Sequence, residues 1–306
     1  MTQGAVRVNQ QQAGMRFGAV HIIDSVPHGE YPTGQRLFNE LQPLGSTLEP
    51  HIDTFYSREE ARAGFLNRFA SILQHLCDSR RAPLIHIEAH GLVDATGKSI
   101  GFALASGEMV SWADLEPMLR KINVICCVNL LVVAGACEGL GLAVILQAAD
   151  RAPVWGILGP TRTVTAGELD DGHRAFYRTL YQTRDFTPAM KAMNASVPAG
   201  DQPFFLFGAQ WFFMQVMRGY FERYCTDEAI AARVLKAAPT EGLLRQQGIS
   251  EDEILRRRET FRQHLRDHRG HFDRMKPLFF AEDVCAENSA RFPISFEDVD
   301  PGATGR

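Results

Sequence analysis

The chain has no CxxC spacing, no long charge-free apolar run, no internal repeat and no large surplus of either charge. Its six cysteines stand at Cys77, Cys126, Cys127, Cys137, Cys225 and Cys285. That spread excludes a zinc ribbon and a thioredoxin-like motif, and it predicts free thiols in a reducing, cytoplasmic setting. Residues 1–17 are polar and lack the apolar core of a signal peptide. The most hydrophobic window, Pro203–Phe221, is broken by Gln210, Gln215 and Arg218. A membrane span needs about 20 nearly charge-free residues, so none is expected. Net charge is −4, which argues against nucleic acid and anionic lipid as partners. Gly97-Lys98-Ser99 looks like the end of a phosphate loop, but Leu92 stands where that motif requires glycine. With 45% hydrophobic and 22% charged residues, the 306-residue chain reads as a soluble protein with a sizeable core.

Against these absences stands a regular alternation of apolar strands and amphipathic helices. Phe17–Asp24, His51–Tyr56, Leu84–Ala89, Val128–Ala134 and Val154–Leu158 read as strands. Ser57 with Glu60 forms a capping-box pattern and predicts a helix over Arg58–Cys77. Gln35–Leu41 reads as a short helix, with Pro43–Pro50 as a connector. Gly101–Ala105 and Met109–Val110 flank a hairpin, and Ser111 with Asp114 starts a helix to about Lys121. Leu140–Ala149, Thr165–Tyr181 and Pro188–Asn194 complete the helical set. This order implies an α/β fold, a mostly parallel sheet with helices on both faces.

Beyond Pro203 the character changes. Phe204–Tyr224 is rich in aromatics, Thr226–Ala238 and Ser250–Met275 read as helices, and Ala281–Asp300 carries six acids against one arginine. The organisation expected is a flexible lead (1–15), an α/β domain (16–225) and a helical C-terminal extension with an acidic tail (226–306). Residues 203–276 are the expected contact with a partner or a second copy. The basic stripe of Ile254–Lys276 reads as a solvated helix face opposite that tail.

Two strand ends carry the chemistry. Leu84–Ala89 runs into His90-Gly91, and Leu130–Ala134 runs into Gly135-Ala136-Cys137-Glu138-Gly139. In a parallel sheet, reactive groups gather at the carboxyl ends of the strands. A cysteine on a small-residue turn ahead of a helix is exposed, and the helix dipole favours its thiolate. A nearby imidazole can take the thiol proton and later protonate a leaving amine. The backbone N–H groups of Gly91 and Cys137 are candidate donors to an oxyanion.

The pair LIHIEAHG and LLVVAGACEGL resembles the caspase-like cysteine peptidases, more closely their bacterial CHAT-domain branch. The caspase signature Q-A-C-[RQG]-G, with its histidine about 50 residues upstream, is matched at Ala136, Cys137 and Gly139. It is left at Gly135 and Glu138. The hairpin after His90, Trp112-Ala113-Asp114-Leu115 and the segment Gly159–Tyr181 are also similar to CHAT domains. The resemblance covers roughly residues 15–225. It implies a caspase-like three-layer sandwich, with His90 as general base and acid, Cys137 as nucleophile, and Gly91 with Cys137 as the oxyanion hole. It further implies hydrolysis of a protein or peptide substrate with no metal or organic cofactor, in bacterial defence or signalling. Activation of a pore-forming or toxin partner by cleavage is one such role. A catalytically silent caspase-like scaffold is the alternative.

For substrate choice, Glu138 and the acids Glu168, Asp170 and Asp171 would suit a basic residue before the cut, or else form a helix-start charge and a solvated loop. Asp24 and Asp53 either line the cleft or cap loops. His86 and His21 read as packed histidines, and Cys126-Cys127 as ordinary buried thiols.

Overall fold

The computed structural model describes residues 15–198, 202–236 and 238–300. The expected flexible lead lies outside them except for Met15, which is buried in the core. The chain order begins β1 (Ala19–Asp24), α1 (Thr33–Ser46), β2 (Asp53–Arg58), α2 (Arg62–Ser79) and β3 (Pro83–Glu88). It continues with β4 (His90–Val93), β5 (Ser99–Ala103), β6 (Met109–Ser111), α3 (Trp112–Ile125), β7 (Leu131–Gly135), a 3-10 turn (Gly139–Ile145) and β8 (Gly156–Pro160). Then come α4 (Ala166–Thr183), α5 (Phe186–Ala195), β9 (Phe204–Gly208), α6 (Ala209–Tyr224), α7 (Asp227–Lys236), α8 (Ala238–Gln246), α9 (Glu251–Arg266) and α10 (His268–Phe279).

Six strands form one sheet in the order β2-β1-β3-β7-β8-β9. All neighbours in it are parallel except β8 and β9. β1, β3, β7 and β8 are buried along their whole length, as a parallel sheet covered on both faces requires. Helices surround the sheet: α1 packs on α4 and α4 on α5, while α2 packs on α3. The α/β class with a mostly parallel sheet is therefore the observed architecture. β4, β5 and β6 make a separate antiparallel sheet that leaves the main one immediately after β3. α3 and α4 both start at capping boxes, Ser111 with Asp114 and Thr165 with Glu168.

Several local expectations are corrected. Ser57 does not cap a helix, because β2 continues to Arg58 in register with Asp24 of β1. Those sheet bonds outcompete the local cap, and α2 starts only at Arg62. The connector expected from Pro43 is helical to Ser46. The helix expected after Cys137 is only the 3-10 turn Gly139–Ile145, since Gly139 and Gly141 weaken helix formation. Phe204–Gly208 is a strand, paired with β8. The helix expected over Ser250–Met275 is interrupted at Asp267, which caps α10 through its side chain.

Cys127 is not a free thiol. It forms a disulfide with Cys285, 158 residues away in sequence, so the step from free thiols to a reducing compartment loses its support. Arg291 donates to the Cys127 carbonyl and to Asn129 Oδ1 beside this bond. Phe279, Phe280, Phe292 and Ile294 are buried in the same core as the sheet, with Phe280 stacked on Phe292 at 4.4 Å. Ile230, Val234 and Leu265 form a small core of their own. Among the described residues, no helix is long and apolar enough to cross a membrane.

Candidate functional site

The register of β3 on β7 pairs Glu88 with Gly135. Two residues beyond that pair, past the ends of β3 and β7, stand His90 and Cys137, so the sheet brings their two backbone segments to neighbouring strand ends. The contact continues past the ladder. A Cβ on Gly91 would lie 2.0 Å from the Cys137 carbonyl oxygen and 3.5 Å from its Cα. Only a residue without a side chain admits that approach. Gly91 pairs with Phe102 of β5, so the small antiparallel sheet holds the segment in place.

Cys137 is half-buried and its thiol is free. Its Sγ lies 3.6 Å from the Val164 carbonyl oxygen. The 3-10 turn that follows offers less of a dipole than the expected helix, because a macrodipole sums over aligned peptide units. His90 is exposed, and its Nε2 lies 2.9 Å from Glu30 Oε2. Glu30 sits in the loop after β1. It carries no sequence signal, being a lone acid in a Pro/Gly-rich loop 60 residues from the histidine.

Glu138 adopts a left-handed backbone (φ 54°, ψ 26°). Such a conformation costs a non-glycine residue about 1–2 kcal/mol. Its N–H donates to the Arg162 carbonyl at 3.3 Å, tying the turn at Cys137 to the loop before α4. Glu138 is half-buried and follows Cys137 directly in the chain.

The other acids lie in different settings. Glu168, Asp170 and Asp171 lie in the first turns of α4 and not in a loop. Glu168 takes part in the capping box and accepts from Arg162 Nη2 at 2.9 Å. The Arg162 guanidinium and the Thr165 N–H hold its carboxyl down to about 2. Asp170 is buried, with Tyr31 Oη at 3.3 Å and Arg36 Nη2 at 3.2 Å. Asp171 is exposed. Asp24 is buried at the end of β1, where Tyr56 Oη and the Val26 N–H donate to it at 3.0 Å each. Burial and this carboxylate push the Tyr56 hydroxyl up to about 12. Asp53 pairs with Arg81 at 2.6 Å. His21 is a core histidine stacked on Phe55 at 4.7 Å, and burial lowers it to about 3.

Behind the strand ends lies a buried polar group with no counterpart among the sequence-derived candidates except His86. His86 Nε2 is 2.7 Å from Glu88 Oε1, and His86 Nδ1 is 3.1 Å from Tyr177 Oη. The Thr33 hydroxyl donates to Glu88 Oε2 at 2.9 Å. His173 Nδ1 lies 3.4 Å from Glu88 Oε1, yet neither ring nitrogen of His173 makes a hydrogen bond. Gly135 makes room for this carboxylate, since a Cβ there would fall 2.6 Å from Glu88 Oε2. Desolvation disfavours a charged His86 and works against ionised Glu88, but the two histidines beside Glu88 draw its carboxyl down to about 2.

Among solved structures, the initiator caspase Dronc of Drosophila is similar over 68% of this chain and 87% of that one, with a TM-score of 0.44 and 11% identity. No protein-family model matches the chain, and no curated protein sequence does.

Proposed function

We propose that this chain is a cysteine endopeptidase of the caspase-like group, with His90 and Cys137 as its dyad. The close approach of Gly91 to the Cys137 carbonyl is the observation that supports the reading most. It sets the backbone that carries the histidine against the backbone that carries the thiol.

In this mechanism Glu30 holds His90 through Nε2, which leaves Nδ1 to take the Cys137 proton. The thiolate Sγ attacks the scissile carbonyl carbon, and the oxyanion forms within reach of the Gly91 and Cys137 N–H groups. His90 returns the proton to the departing amine, leaving an acyl-enzyme. Water, deprotonated by the same imidazole, then releases the acid and restores the thiol. Each step uses side chains and backbone of this chain only.

Glu138 is the acid we assign to substrate choice, because it follows the proposed nucleophile directly in the chain and is half-buried. Asp24, Glu168 and Asp170 are already paired with groups of the protein itself. A carboxylate at Glu138 favours arginine or lysine before the cut. On the resemblance to the CHAT branch, the substrate is a single protein partner in bacterial defence or signalling, which is an argument by analogy.

A peptide panel varying the residue before the cut tests this reading. Cleavage after Arg or Lys is expected, about 10²–10⁴-fold slower in His90→Ala and absent in Cys137→Ala. Glu138→Gln is expected to lose the preference while keeping turnover. Cleavage that persists in Cys137→Ala would overturn the assignment, and no cleavage of any peptide would favour the silent scaffold.

A further inference from the structure

We infer that His86, Glu88 and His173 form a binding site for one divalent first-row transition metal ion, with zinc the leading occupant. The three side chains are buried, and one ligand atom from each lies within 4.8 Å of the others. Two imidazoles and a carboxylate are a donor set that suits such ions. The site joins β3 to α4, and its Glu88 lies two residues before His90, the first residue of β4.

Three observations carry this. His173 is 1% exposed, and both of its ring nitrogens lack a hydrogen-bond partner. Buried polar atoms are nearly always paired, and its Nδ1 already faces Glu88 Oε1 at 3.4 Å without a hydrogen bond. Two donors on one tetrahedral zinc, each about 2.0–2.1 Å from it, stand roughly 3.4 Å apart. The Glu88–His173 separation therefore suits a shared ion, and the 2.7 Å contact of His86 with Glu88 would open by a fraction of an ångström.

The ligands are also oriented from behind. Tyr177 Oη holds His86 Nδ1, directing Nε2 to the centre, and the Thr33 hydroxyl holds Glu88 Oε2, directing Oε1 there. Such outer partners are typical of built metal sites. Asp24, opposite Glu88 in the β1–β3 register, places a further buried carboxyl group on the neighbouring strand. The ion would cross-link sheet and helix and take no part in peptide cleavage.

The test uses the full chain carrying Cys137→Ala, which removes the thiol at the strand ends as a competing ligand. Elemental analysis after dialysis and the visible spectrum of the cobalt(II)-loaded protein report the site without reference to activity. About one equivalent of metal, a cobalt spectrum of imidazole–carboxylate type and a zinc-dependent rise in Tm are expected. Glu88→Gln, which keeps the shape, should abolish stoichiometric binding, and Tyr177→Phe should weaken it about 10–100-fold. A metal-free chain with no Tm response to zinc would overturn the site, leaving a hydrogen-bonded His-Glu-His cluster. Metal retained undiminished in Glu88→Gln would also overturn it, by placing the ion elsewhere. Because Cys137 is absent throughout, neither result bears on the peptidase reading.

Discussion

Gly91 and Cys137 touch backbone to backbone: a Cβ on the glycine would sit 2.0 Å from the carbonyl oxygen of the cysteine. That oxygen belongs to the main chain and cannot swing aside as a side-chain tip would. Gly91→Ala must therefore displace one strand end relative to the other. Misplacing reacting groups by about 1 Å costs on the order of 10²-fold in rate. The variant should fold, lose about that much kcat/KM and show slower alkylation of Cys137. Unchanged kinetics would mean that the two strand ends are not coupled.

Glu30 should matter far less than His90. The Glu30–His90 pair is about half exposed on both sides, and exposed pairs contribute no more than about 1 kcal/mol. Glu30→Gln is expected to lower kcat/KM by no more than about fivefold through a looser imidazole. A loss as large as that of His90→Ala would show that the carboxylate does more than orient the ring. No loss at all would show that the pair is only a surface contact.

The cap at the start of α4 makes a prediction about acid. Glu168 is depressed to about 2 in the folded chain by Arg162 and the Thr165 N–H, against about 4.3 when unfolded. A lowered carboxyl stabilises the fold above the unfolded value, and that contribution is lost as pH falls through the folded value. Glu168→Gln should cost about 1 kcal/mol near pH 7, allowing for solvent around the group. Thermal melts should show the gap between variant and parent narrowing between about pH 4.5 and 2. A gap independent of pH would assign the effect to packing.

Much of this architecture was legible in the chain. The β1, β3, β7 and β8 runs are mostly apolar, as doubly covered strands tend to be, and the ends of β3 and β7 lead to His90 and Cys137. The misses have physical causes. Phe204–Gly208 merges with the apolar face of α6, so only its pairing with β8 reveals a strand. Ser57 and Glu60 have capping-box spacing, yet Ser57 is held in the sheet by the Ile23 register. The Cys127–Cys285 bond spans 158 residues, and no local spacing signals it. Glu30 and His173 reach their partners from a loop and a helix far away in sequence, which one strand's pattern does not encode.

Thiol chemistry offers the most direct measurement, since it needs no substrate. Without reductant, Cys127 and Cys285 are protected by their disulfide. Cys126 is buried and pushed up to about 12, and burial also raises Cys225. Cys77 is free and exposed and serves as the internal reference. With iodoacetamide and peptide mapping by mass spectrometry, Cys137 should be alkylated several times faster than Cys77, and His90→Ala should remove most of that advantage. Equal rates at Cys77 and Cys137, or a Cys137 advantage that survives the loss of His90, would contradict the dyad.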